Sequence, residues 1–413
     1  MKIGIIGSGI SGLVTAHLLS RTHAVTLFEA DDRLGGHTNT VTVNLAGDEL
    51  AVDTGFIVFN ERNYPGFTRL MRELGVATQP SDMSFSVSDR VNGMEWAGTS
   101  LSGIFAQRKN AANPKFLRML VDIARFQRVA QAHLARPEDP SFTLGDLLAT
   151  ARWSHEFLDD YLIPLGASIW SADPRTFTEY PATTFLRFCN NHGLLRYRDR
   201  PAWRTVTGGA QRYVDVISAP LESSIRLATP VDAVLRTGSG ASLKLRGGQE
   251  FDFDHVVIAT HSDQALRLLV VATDEESATL RAIRYQPNTA VLHTDASLMP
   301  RRRNAWASWN YVRCSRNDQT ATLTYDMNRL QSLQSTEPLL VTLNGIGIDP
   351  ERVLQTFSYA HPIYDEAAIR AQSSQQDMCS GAVSFAGAYW GYGFHEDGVQ
   401  SAVRVCKWLG TSW

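Results

Sequence analysis

Lysine is scarce in this chain of 413 residues, and arginine carries nearly all of its positive charge. The lysines are Lys2, Lys109, Lys115, Lys244 and Lys407. The formal net charge is −3. A protein that binds a phosphate backbone normally has a basic surplus, so we expect no nucleic-acid partner.

Cysteine is also rare, and its spacing excludes two kinds of site. Cys189, Cys314, Cys379 and Cys406 include no C-x-x-C pair, and no cysteine–histidine cluster has the spacing of metal ligands. A chain of this length can bury a core without disulfide bonds. We therefore predict buried free thiols in a reducing cytoplasm and no metal site.

No run of 18 apolar residues occurs, so we predict no membrane-spanning helix. The N-terminus also lacks the features of a signal peptide. Residues 1–6 are too short for its apolar region, and glycines follow at once. These absences favour a cytoplasmic protein.

The first thirty residues have the pattern of a β-α-β unit. Residues 2–7 form a short apolar run that ends in glycine, as in a buried parallel strand. The sequence Gly7-Ser-Gly9-Ile-Ser-Gly12 follows, and residues 13–20 have the content of a buried helix. A second predicted strand, residues 24–28, ends in Glu29.

Each part of this unit suits a dinucleotide. Gly7 permits a tight turn, Gly9 lets the backbone approach a pyrophosphate, and Gly12 lets the helix pack closely on the strand. The start of the helix offers free N–H groups to the phosphates, and Glu29 can accept hydrogen bonds from a ribose. The predicted contacts are Gly7, Gly9, Ser11, Gly12, Glu29 and Ala30.

The following segment favours FAD over NAD. Arg33 and the pair Gly35-Gly36, followed by His37, come directly after the ribose acid. A Gly-Gly turn at this place lets a second loop reach the pyrophosphate and the ribityl side. We therefore predict that Arg33, Gly35, Gly36 and His37 also contact the cofactor.

This doublet resembles that of the GG-doublet flavoproteins, which include monoamine and polyamine oxidases, protoporphyrinogen oxidase and carotenoid desaturases. Further segments resemble the family in the family's order: 52–56, 203–209, 229–231, 255–260, 384–387 and 397–398. The resemblance implies FAD as cofactor. It also implies cofactor contacts at Thr54, Gly55, Phe56, Val231, Ala259, Gly387, Asp397, Gly398 and Val399.

Two positions depart from the family pattern. Ala388 follows Phe385-Ala-Gly387, where the family usually has glutamate, so one acidic contact to the cofactor is missing. His37 follows the glycine doublet, where many relatives have arginine.

The fold that the resemblance implies is α/β, with a discontinuous Rossmann-like FAD-binding domain and a second, α+β substrate domain. We assign residues 1–60, 205–265 and 375–413 to the first domain, and 61–204 and 266–374 to the second. Alternation of apolar and polar residues predicts a hairpin over 83–97 and strands over 288–345, including 320–325 and 339–343. Residues 113–200 are predicted to be mainly helical.

The chemistry expected of a flavin is hydride acceptance at N5. Amine oxidases of the family commonly place a lysine near that atom, from the second substrate segment. Residues 266–345 contain no lysine, which argues against an amine oxidase.

The segment 387–398 combines four aromatic residues with glycines and a His-Glu-Asp run. With residues 53–62 and 79–86, it resembles a bacterial branch of the family that accompanies cyclopropane-fatty-acid-synthase-like methyltransferases and includes furan-fatty-acid-pathway desaturases. The resemblance implies an acyl-chain substrate on a phospholipid and a lipid methyltransferase as partner. A small-molecule amine substrate and a non-catalytic FAD-bound partner protein are the alternatives.

The candidate catalytic residues are His395 and Tyr392. His395 is a general base, a residue that orients the substrate, or a structural hydrogen-bonding group at a helix N-terminus. Tyr392 and Trp390 either wall the substrate pocket or pack in the core. Trp170 lies in an apolar stretch that we expect beneath the active site.

Peripheral contact with the inner face of a membrane is a further expectation. Residues 115–128 form an amphipathic pattern with a basic face, and Arg301–Arg303 add a cationic spot. The alternative is a surface helix that packs on its own core, with solvated arginines.

Overall fold

The computed structural model of the protein describes residues 1–45, 47–195, 200–315, 318, 321–379 and 381–413. Thr320, at the start of one predicted strand, and residues 196–199, at the end of the predicted helical region, lie outside the described residues.

The strands in chain order are β1 (Lys2–Ile6), β2 (Ala24–Phe28), β3 (Thr40–Leu45), β4 (Asp48–Asp53), β5 (Phe59–Asn60), β6 (Thr78–Pro80), β7 (Phe85–Asp89), β8 (Met94–Ala97), β9 (Trp203–Val206), β10 (Ile225–Arg226), β11 (Val231–Arg236), β12 (Ala241–Leu245), β13 (Glu250–Phe253), β14 (His255–Ile258), β15 (Tyr285–His293), β16 (Trp309–Arg313), β17 (Thr322–Asp326), β18 (Leu340–Leu343), β19 (Val353–Pro362) and β20 (Val383–Phe385).

The helices are α1 (Ile10–Leu19), α2 (Pro65–Leu74), α3 (Leu101–Ile104), α4 (Pro114–Leu134), α5 (Leu144–Ala149), α6 (His155–Phe157), α7 (Ile163–Trp170), α8 (Ala182–Asn191), α9 (Gln211–Ser218), α10 (Ser262–Leu268), α11 (Asp274–Ala282), α12 (Met327–Leu330), α13 (Glu366–Gln372) and α14 (His395–Trp408).

A five-stranded parallel sheet, in the order β10-β2-β1-β14-β20, contains the predicted β-α-β unit. Helix α1 begins at Ile10, three residues earlier than predicted, because Gly9 is its N-cap. Gly12 therefore lies in the first turn, where a Cβ atom would be 1.9 Å from the Gly7 carbonyl oxygen. The close packing of helix on strand predicted for Gly12 is confirmed.

The second large sheet has seven strands in the order β19-β15-β18-β17-β16-β7-β8. The predicted hairpin is confirmed as β7 and β8, which pair antiparallel. The two strands predicted near 320–325 and 339–343 are β17 and β18, which also pair antiparallel. The described part of residues 113–200 is mainly helical, as predicted, and packs its aromatic side chains on the inner face of this sheet.

The described residues follow an α/β fold, and its two large sheets use separate stretches of the chain. The predicted domain boundaries at 204 and 265 fall inside β9 and α10. The position of those boundaries stays a prediction.

Helix α14 packs against α1, and both belong to one apolar core with Leu13, Val399 and Val405. A Cβ atom on Gly398 would lie 2.7 Å from the Ile10 side chain, so this crossing requires glycine.

The four cysteines are free. Cys189, Cys379 and Cys406 are buried as predicted, but Cys314 is exposed because it follows the end of β16 at the surface. Among the described residues, no helix is both long and apolar enough to cross a membrane.

Candidate active site

A cavity of about 1000 Å³ extends from the carboxyl ends of β1, β2 and β14 to the seven-stranded sheet. The carboxyl edge of a parallel sheet is where α/β folds bind ligands, because the helix N-termini meet there. Among the predicted site residues, those that line the cavity are Gly7, Gly9, Ser11, Glu29, Ala30, Arg33, Gly35, Gly36, His37, Gly55, Phe56, Val231, Ala259, Gly387, Tyr392 and His395.

The other five predicted residues do not line the cavity. Thr54 bonds to Asn39 O and Tyr359 Oη, at 3.0 and 2.9 Å. Asp397 accepts a hydrogen bond from the Phe394 amide at 2.9 Å, which caps α14. Gly12, Gly398 and Val399 are buried where α1 meets β1 and α14.

The glycine loop is held by a residue that we did not predict. Ser8 donates from its amide and from its hydroxyl to Glu29 Oε2, at 2.8 and 2.5 Å. Glu29 Oε1 accepts from the Asp31 amide at 3.0 Å. The predicted ribose acid is therefore also the acceptor that fixes the loop between β1 and α1.

The second glycine loop touches the first. Gly36 has φ +57°, and a Cβ atom there would lie 3.2 Å from the Cα atom of Gly9. Arg33 donates to the carbonyl oxygens of Gly36 and Thr38, at 2.8 and 3.2 Å, and so fixes this turn. The doublet thus brings a second backbone segment to the mouth of the glycine loop.

Two observations test whether these residues fit a dinucleotide. A Cβ atom on Gly9 would meet nothing within 4 Å, so open space lies directly before the N-terminus of α1. The buried Nε2 of His37 has no hydrogen-bond partner among the described residues, although buried polar atoms are normally paired. The open space suits a pyrophosphate, and the unpaired nitrogen is available for a bound ligand.

His395 lies at the start of α14 and is 8% exposed. Its Nε2 bonds to Thr38 Oγ1 at 2.9 Å and to Tyr213 Oη at 3.0 Å. Burial lowers the pKa of His395 to about 3. The neutral ring with an engaged Nε2 favours the structural role over that of a general base.

Tyr392 and Trp170 meet on the cavity wall. Trp170 Nε1 donates to the Tyr392 carbonyl oxygen at 3.1 Å. Both residues line the cavity, and Tyr392 also packs against the aromatic core. Ser171, the next residue, has φ +53°, a strained backbone conformation for a residue with a side chain. Trp390 instead packs on Tyr389 in the core, at a ring-centroid distance of 4.9 Å.

A cluster of three imidazoles on the cavity wall was not predicted. The His37 ring lies 5.6 Å from that of His261 and 5.7 Å from that of His361. Asn288 donates to His361 Nδ1 at 3.0 Å, so the neutral ring carries its proton on Nε2. Burial lowers the pKa of all three, in His361 to about 4. The cluster is therefore uncharged at neutral pH.

One part of the cavity wall is mainly aromatic and aliphatic, and we call it the aromatic arm. Its residues are Leu165, Ile169, Trp170, Phe188, His192, Leu194, Trp203 and Phe394. His192 stacks on Phe188 at a centroid distance of 3.9 Å, and its Nδ1 bonds to the Phe188 carbonyl oxygen at 2.9 Å. A carbonyl accepts, so Nδ1 carries the proton of this neutral ring and Nε2 has the lone pair. The arm is apolar, with a neutral imidazole on its wall.

Among the described residues, those of 61–204 and 266–374 that line the cavity include no carboxylate and no lysine. Their one charged side chain is Arg267, which is paired with Asp263 at 2.7 Å. The carboxylates on the cavity wall, Glu29, Asp31, Asp232 and Asp263, all come from the segments that form the parallel sheet and its neighbours.

Comparison with known proteins adds a family and a set of similar folds. The sequence profile of the family described as "Flavin containing amine oxidoreductase" matches residues 10–306. Cyclohexylamine oxidase from Brevibacterium oxydans IH-35A is similar in structure, with 17% identity, 99% of each chain covered and a TM-score of 0.71.

Two further structures have a TM-score of 0.69. A putative protoporphyrinogen oxidase from Exiguobacterium sp. 255-15 is 18% identical, over 99% of this chain and 98% of its own. A fatty acid isomerase from P. acnes, described as producing CLA, is 12% identical, with 98% of each chain covered. At these identities the likeness is one of fold.

Proposed function

We propose that this chain, which belongs to the family of flavin-containing amine oxidoreductases and is an FAD-dependent oxidoreductase, desaturates a fatty-acyl chain of a phospholipid. The observation that carries the proposal is the chemistry of the aromatic arm. Its walls are aromatic and aliphatic, and no carboxylate of the described substrate segments reaches the cavity.

The absence of a carboxylate from the substrate side of the described cavity wall favours an acyl chain over an amine as the substrate. A primary amine is a cation at neutral pH, and burying an unpaired charge is costly. An acyl chain has no charge to neutralise and gains from each apolar contact, by about 25 cal/mol per Å² of buried area. The absence of lysine from the described cavity wall is a second difference from the amine oxidases that the sequence resembles.

The geometry supports a set of residues that would hold FAD. We infer that the parallel sheet is a Rossmann-like dinucleotide site, with the pyrophosphate before Gly9 and the ribose at Glu29. When bound, FAD supplies a flavin ring that accepts a hydride. The aromatic arm would align the acyl chain and exclude water. On its wall, Nε2 of the neutral His192 ring offers a hydrogen-bond acceptor.

Two other functions remain as alternatives. An amine oxidase would have to hold its cationic substrate by aromatic rings alone, because the described cavity wall offers no counter-charge on the substrate side. A non-catalytic FAD-bound partner would be favoured by a filled or closed pocket, whereas this cavity extends beyond the glycine loop to Trp309 and Tyr325 of the seven-stranded sheet. We keep a lipid-modifying methyltransferase as the proposed partner because the sequence resemblance implies it.

The test is anaerobic reduction of the bound flavin. The purified yellow protein is mixed with a detergent-dispersed phospholipid and, separately, with cyclohexylamine and putrescine, and the flavin absorbance is followed. We expect bleaching with the phospholipid and a new double bond in its acyl chain. Bleaching with amines alone would refute the proposal.

A variant localises the reaction. Ile169→Asp places a carboxylate in the aromatic arm, and we expect it to slow reduction by phospholipid without loss of bound FAD. Ile346→Asp is the matched control, because Ile346 is 80% exposed. Equal rates in the two variants would mean that the acyl chain does not enter this arm.

A further inference from the structure

Two basic segments that lie far apart in the sequence meet on one surface. Helix α3 packs against the turn Arg303–Ala305, where Asn304 Nδ2 donates to the Ser102 carbonyl oxygen at 3.0 Å. The rings of Phe105 and Phe116, 6.0 Å apart, join the end of α3 to the start of α4. The turn after Arg301 and the start of α4 therefore both adjoin α3.

This surface has a strong local positive charge. Its exposed basic residues are Arg108, Lys109, Lys115, Arg118 and Arg301–Arg303. The carboxylates that face them are few: Asp122 pairs with Arg118 at 3.2 Å, and Glu156 with Lys115 at 3.9 Å.

A third carboxylate, Glu95, bonds to main-chain amides and not to the guanidinium groups nearby. It accepts hydrogen bonds from the main-chain amides of Arg301 and Arg302, at 2.9 and 3.3 Å. We call this region the basic surface. Its charge is opposite in sign to the chain's net charge of −3.

Exposed aliphatic side chains lie among these cations. Leu101 is 76% exposed, Leu117 39% and Val121 52%. Leu117 and Val121 are four residues apart on α4 and so lie on the same side of the helix. Isolated exposed apolar residues are common, but Leu117 and Val121 share α4 with Lys115 and Arg118, and Leu101 begins the helix that packs against the turn Arg303–Ala305.

We propose that the basic surface binds an anionic phospholipid bilayer, with the basic residues at the headgroups and Leu101, Leu117 and Val121 in the boundary with the acyl chains. Cations surrounding exposed aliphatic residues are the pattern of interfacial binding. A nucleic acid would bind the basic side chains but would leave the exposed aliphatic side chains in contact with water. The inference rests on the proposed function in one respect: a phospholipid substrate has to be drawn from a bilayer.

The experiment is sedimentation of the full-length, FAD-loaded protein with vesicles. Vesicles of phosphatidylcholine alone are compared with vesicles that also contain phosphatidylglycerol, at low and high salt. We expect binding to the anionic vesicles, weakened by salt. The double variant R301E/R302E should bind them at least about 25-fold more weakly, since each basic side chain contributes about fivefold near an anionic surface and the variant replaces two of them by acids.

Matched controls make the result specific. R281E/R352E changes the net charge by the same amount at exposed arginines outside the basic surface, and it should bind as the unchanged protein does. Leu101→Ser should weaken binding even at high salt, whereas Ile346→Ser, at another exposed aliphatic residue, should not. The Leu101 result separates a bilayer from a purely ionic partner.

Three outcomes would overturn the proposal: no sedimentation with anionic vesicles, equal binding by R301E/R302E and its control, or equally tight binding to a single-stranded oligonucleotide with no effect of Leu101→Ser. Flavin reduction by detergent-dispersed phospholipid, measured in the same variants, separates this proposal from the enzymatic one. In the variants, weaker vesicle binding with intact reduction is the expected result. In the unchanged protein, intact reduction without vesicle binding refutes the surface alone, and vesicle binding without reduction refutes the acyl substrate alone.

Discussion

The imidazole of His395 lies flat on the ring of Phe56, with centroids 3.5 Å apart and planes 12° apart. The stack joins α14, the last helix, to the segment that follows β4. Both rings line the cavity, and the His395 ring is fixed by the stack and by two hydroxyl groups. The pair is therefore a packed part of the cavity wall.

His395→Ala is expected to lower stability first and turnover only as a consequence. The change removes a stacked ring and leaves the hydroxyls of Thr38 and Tyr213 without this partner, a cost of about 2–4 kcal/mol. Thermal unfolding of the FAD-free protein measures it. Tyr392→Phe is the control, since the Tyr392 group that binds Trp170 is its carbonyl oxygen. An unchanged melting temperature with lost turnover would restore the general-base role.

Gly9→Ala and Gly12→Ala should fail in different ways. A methyl group on Gly9 meets open space, whereas one on Gly12 lies 1.9 Å from the Gly7 carbonyl oxygen. We expect Gly9→Ala to unfold normally but to bind FAD roughly tenfold more weakly, because the pyrophosphate needs that space. Gly12→Ala should lower the melting temperature itself. FAD fluorescence titration and thermal unfolding measure the two effects, and unchanged FAD affinity in Gly9→Ala would move the pyrophosphate elsewhere.

Arg313 compensates two buried carboxylates, Asp89 at the end of β7 and Asp160 in a helical turn. It forms ion pairs with Asp89 and with Asp160, the latter at 3.2 Å, and both carboxylates are at most 1% exposed. Arg313→Met should cost about 3–5 kcal/mol because the acids lose their buried partner. Arg175→Met, which breaks an exposed pair with Asp173, should cost about 0–1 kcal/mol. Urea unfolding measures the free energy of unfolding of both variants. Similar losses in Arg313→Met and Arg175→Met would mean that Arg313 is not the essential partner of the two acids.

Acid should destabilise the protein through its buried neutral histidines, of which His255 is a clear case. His255 is 2% exposed, its Nε2 is 2.9 Å from Ser384 Oγ, and burial lowers its pKa to about 4. The unfolded chain binds a proton near pH 6.5, so stability present above that pH falls between about 6.5 and 4, by about 1.4 kcal/mol per pH unit. The loss is complete once the pH passes the folded pKa.

The measurement is urea unfolding of His255→Asn at several pH values in that window. The variant should lose less stability on acidification than the unchanged protein, by the slope of one titrating group. His155→Asn, at an exposed histidine, should leave the slope as it was. Parallel pH curves for His255→Asn and the unchanged protein would contradict the prediction.

The sequence predicted the parts of the site whose chemistry lies within one short segment. The turn at Gly7, the open position at Gly9 and the acid at Glu29 follow from a single β-α-β unit, and the structure places all three on the cavity. The bond from Ser8 to Glu29 was missed, although both residues lie in that unit, because side-chain direction in a loop is not encoded by spacing.

Long-range contacts could not be read from spacing at all. His37, His261 and His361 meet only when three segments fold together, and in the sequence His261 and His361 resemble ordinary core histidines. The same holds for His192, whose orientation depends on its stacking with Phe188. Asp397, which belongs to a family motif, caps its own helix and is not among the residues that line the cavity, and its predicted contact with the cofactor stays a prediction.

The packing of α14 on α1 has a consequence for how the chain is made. Helix α14 covers one face of α1, and β20 pairs with β14, which would otherwise be the edge of the sheet. A nascent chain therefore keeps these two surfaces uncovered until synthesis has passed residue 408. Until then the glycine loop precedes a helix with an exposed apolar face, which is a surface for chaperones. A chain truncated after residue 382 would keep every residue of the glycine loop. It would lose β20 and α14, the elements that support the cofactor site.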